Sequence, residues 1–89
     1  MTDYKKLFKD TLNEVIKLRN KKQKAYGDDW VDIGLTGNYY NIQRKFKRLE
    51  THFQKGNKLE FENIEDTYKD LIVYATFGLM LIRKETERD

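Results

Sequence analysis

The sequence predicts an all-α fold, a three-helix bundle, and three observations carry that reading. Its 89 residues include no proline, so nothing interrupts a helix by removing a backbone donor. Apolar residues recur at spacings of three and four rather than in alternation, which is the period of a helix face and not of a half-buried strand. Gly27, Gly34, Gly37 and Gly56 fall between or at the ends of the periodic segments, where a chain changes direction.

The first helix starts after Thr2 or Asp3 and runs to about Tyr26, with Tyr4, Leu7, Phe8, Leu12, Val15 and Ile16 along one stripe. Its last third, "RNKKQKAY", is nearly all polar, so the stripe stops before the helix does. Gly27 offers the C-terminal break because it tolerates positive φ. A short turn or helix, "DDWVDIGL", follows, and Gly34 and Gly37 bracket Thr36 as an N-cap candidate for the second long helix. That helix carries Tyr39, Ile42, Phe46, Leu49 and Phe53 on its apolar stripe, with Gly56 as its C′ residue.

After the loop "NKLEFE", Asn63 reads as an N-cap, and Glu65 and Asp66 sit in the first turn, where the helix dipole favours acids. The body of this third helix, "DLIVYATFGLMLI", is apolar around most of its circumference, the mark of burial on more than one side. A three-helix protomer could hardly cover it. Residues 1–89 are therefore expected to form a single domain that assembles into a helical homo-oligomer, a dimer or tetramer, with Leu71 to Ile82 central and Gly78 a point of close helix approach. A chain this short buries only a little over about 60% of the surface its unfolded form exposes, so self-association would help it.

Composition narrows the function. There is no cysteine, hence neither a disulfide framework nor a cysteine-based zinc site. The N-terminal "MTDYKKLFKD" lacks the apolar run of a signal peptide, and the longest mostly apolar run, Leu71 to Ile82, is about half of the ~20 residues a membrane span needs. A cytoplasmic protein with no membrane contact is expected. The net charge of +3 is unevenly spread, since Met1 to Lys58 carries 14 Lys+Arg against 7 Asp+Glu and the remainder 4 against 8. A basic half suits an anionic partner such as a nucleotide, a nucleic acid or phosphate, though lysine-rich helices are as often only solvated surfaces.

The residues that suit such a partner are clustered. Arg44, Lys45, Lys47 and Arg48 fall within five positions, and arginine grips phosphate through a bidentate fork. Tyr26, Trp30, Tyr39 and Tyr40 lie at the ends of neighbouring helices. Aromatic faces beside basic side chains can hold a base and its phosphates together; the alternative is that Trp30 and Tyr39 are partly core and the cations line a wet face. Tyr26, Trp30, Tyr40, Arg44, Lys45 and Arg48 are the expected nucleotide-binding set. Asp66 and Asp70, one helical turn apart, form a second constellation whose spacing lets two carboxylates share Mg²⁺, but acids at a helix start are also a common dipole-friendly surface feature. His52 stands alone, and no phosphate loop, catalytic triad or zinc spacing occurs.

The order "YGDDW", "GLTG", "RKFKRLE" and "IEDTYKDLIVYA" resembles the small MazG-like, all-α nucleotide pyrophosphatase families of phages and bacteria, over roughly Lys21 to Ile82. The resemblance implies an oligomeric helical bundle that binds a nucleoside triphosphate with Mg²⁺ held by acids on two helices, and cleaves it to monophosphate and pyrophosphate. Tyr26, Gly27 and Asp28 match its tyrosine-glycine-aspartate turn, and Asp66 and Asp70 its later acidic pair. The glutamate cluster of the earlier helix has no counterpart, because Glu14 is the only glutamate before Glu50, and Arg44 stands where an acid commonly precedes the lysine of the second-helix motif. The expectation is therefore a binder without catalytic residues or cofactor. Such a protein would be similar to phage anti-CBASS sponges, which sequester a cyclic nucleotide immune signal; the lysine-, asparagine- and tyrosine-rich composition fits a phage of a low-GC host. The first alternative is a Mg²⁺-dependent nucleoside triphosphate pyrophosphohydrolase using Asp66 and Asp70; a plain interaction module that touches DNA with its basic half ranks last, so a nucleic-acid partner is not the expectation.

Overall fold

The computed structural model consists of three α-helices, α1 (Tyr4–Tyr26), α2 (Asp29–Gln54) and α3 (Ile64–Thr86). It describes residues 1–54 and 64–86, with Tyr26, Glu85 and Thr86 described in their backbone alone. Among the described residues there is no strand, so the all-α three-helix class read from the sequence is the class observed. Gly56 and Asn63, the expected ends of the second loop, lie outside the described residues.

Local chemistry explains the boundaries. Asp3 caps α1, its carboxylate accepting from the Lys6 backbone N–H at 3.0 Å, which satisfies one of the donors a helix start leaves open. Gly27, at φ 65°, ends α1 and donates its N–H to the Gln23 carbonyl at 2.7 Å. Only two residues separate α1 from α2, and the Val31 N–H donates to the Asp28 carbonyl at 3.0 Å across that turn. The short helical segment expected after Gly27 and the long second helix form one element with a sharp break at Gly34 (φ 73°, ψ 178°). Thr36 consequently lies inside α2 and is no N-cap. The break falls two residues earlier because a glycine takes positive φ without a Cβ clash.

α3 packs mainly against α2 and more sparsely against α1. α2 and α3 approach closely at Gly78, a buried glycine against which the buried Asn38 side chain rests. The Asn38 amide donates to the Tyr74 carbonyl at 2.8 Å, and a Cβ on Gly78 would meet Asn38 Oδ1 at 2.8 Å. The close approach expected at Gly78 is thus made by α2 of the same chain.

The apolar core is small. Val15 and Leu81 are its buried hydrophobic residues among those described, and Asn38, Lys45 and Thr67 are buried beside them. Most of the α1 stripe, including Tyr4, Leu7, Phe8 and Ile16, stays exposed. α1 packs only sparsely on the α2–α3 pair, and an open cleft lies between them. No described helix is long and apolar enough to cross a membrane.

Candidate functional site

The gap between α1 and the α2–α3 pair is a cleft of about 480 Å³, a size that accommodates a small molecule. Helical periodicity decides which residues reach it. On α2, Asn38, Asn41 and Lys45 are spaced by three and four and line one wall; on α3, Asp70, Val73, Tyr74 and Phe77 do the same. The third wall is the polar last third of α1, represented by Arg19, Lys22 and Gln23. That stretch, which carries no apolar stripe, faces a cavity rather than a core.

One side of the cleft is aromatic. The Trp30 indole stacks on the Phe77 ring with centroids 4.9 Å apart and planes 6° from parallel. The Arg19 guanidinium lies over Phe77 at 5.6 Å from the ring centroid, within reach of a cation–π attraction. Trp30 Nε1 is buried and has no hydrogen-bond acceptor among the described residues. Leaving a buried donor unpaired costs about 1–3 kcal/mol.

Another part of the lining is charged. The buried Lys45 places Nζ 2.9 Å from Asp70 Oδ2, and Lys22 Nζ lies 3.8 Å from Asp70 Oδ1. Arg19, Lys22 and Lys45 thus bring three positive charges to a lining whose acids are Asp29 and Asp70. At the turn below, Gln23 donates to Asp28 at 3.0 Å and accepts from Arg19 Nη1 at 3.4 Å. This chain of contacts ties the orientation of Arg19 to the glycine turn. Outside the cleft, Lys69 pairs with Glu14 of α1 at 3.4 Å and with Glu65 at 3.6 Å. Desolvation pulls the Lys69 pKa down, but hydrogen bonding and attraction from Glu14, then Glu65, outweigh it and leave the pKa raised above the ordinary lysine value.

Of the residues expected to bind a nucleotide, Trp30 and Lys45 line the cleft. The Tyr26 side chain falls outside the described part. Tyr40 is exposed and packs edge-on against Tyr39, with centroids 5.3 Å apart; Arg44 is exposed and Arg48 half-buried, and none of the three is among the cleft-lining residues. The reason is register: Asn38 seated at Gly78 turns the Asn38–Asn41–Lys45 face toward the cleft and rotates its neighbours away. Arg19, Lys22, Asn41 and Phe77 were not anticipated. For Arg19 and Lys22 the available signal was a polar run within an otherwise amphipathic helix; Phe77, inside a uniformly apolar segment, had none.

Asp66 and Asp70 do not fit a Mg²⁺ site as arranged. Both oxygens of Asp70 face lysine ammonium groups, so a divalent ion would have to displace Lys45 against its own charge. Among the described residues no three carboxylate or imidazole groups gather into a metal-holding cluster. No protein-family model, curated protein or solved structure matches this chain.

Proposed function

We propose that the cleft binds a nucleotide and retains it without hydrolysis, and that the protein acts as a sponge for a nucleotide signal, a cyclic nucleotide in the sharpest form of this reading. The observation that carries it is the meeting, in one cavity, of the Trp30–Phe77 stack with its unpartnered indole N–H and the cations Arg19, Lys22 and Lys45. An aromatic wall with a free donor suits a heteroaromatic base. Lysine and arginine groups nearby suit its phosphate. The pairing of Lys45 with Asp70 supports binding over cleavage, because it places an ammonium where a metal-dependent hydrolase needs a metal. The protein then works by mass action, lowering the free concentration of its ligand, and serves best as an oligomer with one cleft per chain.

The test is to incubate the protein with nucleoside triphosphates, cyclic mononucleotides and cyclic dinucleotides, with and without Mg²⁺, then denature it and recover the ligands. Intact nucleotide retained in the presence of EDTA is the expected result. Metal-dependent release of monophosphate and pyrophosphate would replace this reading with the MazG-like pyrophosphohydrolase.

A further inference from the structure

A second surface remains after the cleft is accounted for. On α3, Tyr68, Ile72, Ala75, Leu79 and Ile82 follow one another at spacings of four, three, four and three, the seam that two packed helices share. Much of that seam is open to solvent: Tyr68, Leu79 and Ile82 remain 50%, 48% and 47% exposed, and Ala75 is exposed as well. Beside it runs an apolar groove of about 370 Å³ between α1 and α3, whose walls include Leu12, Ile16, Thr76 and Met80.

Contiguous exposed apolar residues on one helix face mark a surface that a partner covers.

We infer that the occupant is a second copy of this chain, with α3 lying antiparallel to α3 of its partner about a two-fold axis at Ala75. Tyr68 and Ile82 lie seven residues either side of Ala75, and Ile72 and Leu79 three and four residues from it. Tyr68 then meets Ile82 of the partner subunit, Ile72 meets the partner's Leu79, and the two Ala75 residues let the helices approach closely at the centre. Charge selects the direction: α3 begins with Glu65 and Asp66 and ends with Arg83 and Lys84, so antiparallel pairing sets acids against bases and opposes the helix dipoles, whereas parallel pairing sets like against like. A self-complementary patch of this kind is what a two-fold dimer requires. Arg19 and Phe77 line both this groove and the cleft, so the partner supports the cleft from behind and steadies its α1 wall.

The absence of cysteine makes the geometry directly testable by mild oxidation and a non-reducing gel. Ala75→Cys should give a covalent dimer. Tyr68→Cys mixed with Ile82→Cys should cross-link, while each alone should not. Light scattering should give the wild type about twice the 10.8 kDa chain mass at micromolar concentration, and Ala75→Glu, a change at an exposed helix position, should give the single-chain mass with helicity retained by circular dichroism. A monomeric wild type would overturn the inference, as would an Ala75→Glu variant that keeps the dimer mass. Cross-linking by Ile82→Cys alone at the rate of the mixed pair would overturn the antiparallel arrangement.

Discussion

The α2–α3 pair and α1 are held in place by different physics. α2 and α3 meet through buried, directional contacts: Asn38 seated on Gly78 and bonded to the Tyr74 carbonyl, and Lys45 paired with Asp70. α1 is tied to α3 by ion pairs in which one partner is open to water, Lys69 with Glu14 and Lys22 with Asp70, by Arg19 over the Phe77 ring and by the buried Val15. Such exposed pairs contribute little to stability and are screened by salt. The pair is therefore a frame and α1 a wall set against it. The cleft lies along their boundary, where the closely packed α2–α3 pair supplies Trp30, Phe77 and Lys45 and the sparsely packed α1 supplies Arg19 and Lys22.

If that contrast is right, disturbing the frame costs far more than disturbing the wall. The largest effect should come from Asp70→Ala, which strands the buried Lys45 ammonium. Removing one partner of a buried pair costs 3–5 kcal/mol, and the partial exposure of Asp70 puts this case near the lower end, about 3 kcal/mol. Denaturant unfolding should show that loss, and adding Lys45→Met should restore much of it by removing the charge left behind. Next comes Gly78→Leu, which drives a side chain into Asn38. Overpacking of this kind costs about 1–3 kcal/mol, read as a lower Tm, and Gly78→Ala should fall between this variant and the wild type.

The smallest effect belongs to α1 and is set by pH. The fold raises the Lys69 pKa, so its folded form favours the ammonium. The stabilisation is fully present below the unfolded lysine value of about 10.4 and disappears as the pH rises through the higher folded value. Hydrogen exchange should show α1 amides losing protection above about pH 10.4 before the α2–α3 pair does. A Lys69→Met variant should lack that component.

The elements legible in the sequence are those whose chemistry is local. Asp3 as a cap and Gly27 as a stop need only their immediate neighbours, and both ends of α1 fall there. The choice among Gly34, Thr36 and Gly37 was not local. Any of the three can open a helix, and the break settles at Gly34 in the arrangement that brings Trp30 onto Phe77. The same reasoning applies to the cleft. A basic cluster at Arg44, Lys45, Lys47 and Arg48 is visible in the sequence, but which of its members faces inward depends on the seating of Asn38 at Gly78, a contact between distant parts of the chain. Lys45 faces the cleft for that reason, and Arg44 does not line it. Phe77 and Arg19 come together only through tertiary packing, which periodicity within either helix cannot show.

The central claim, that a nucleotide binds between the frame and the wall, is tested most directly by the fluorescence of Trp30, the only tryptophan in the chain, titrated with the same nucleoside triphosphates and cyclic nucleotides. The account predicts a saturable change with at least one of them. Affinity should weaken about tenfold in Lys22→Ala, which corresponds to about 1.4 kcal/mol, and stay within about twofold in Arg44→Ala, a change of about 0.4 kcal/mol at most. No spectral response to any member of the panel at millimolar concentration would contradict it, and so would an affinity lost in Arg44→Ala but kept in Lys22→Ala.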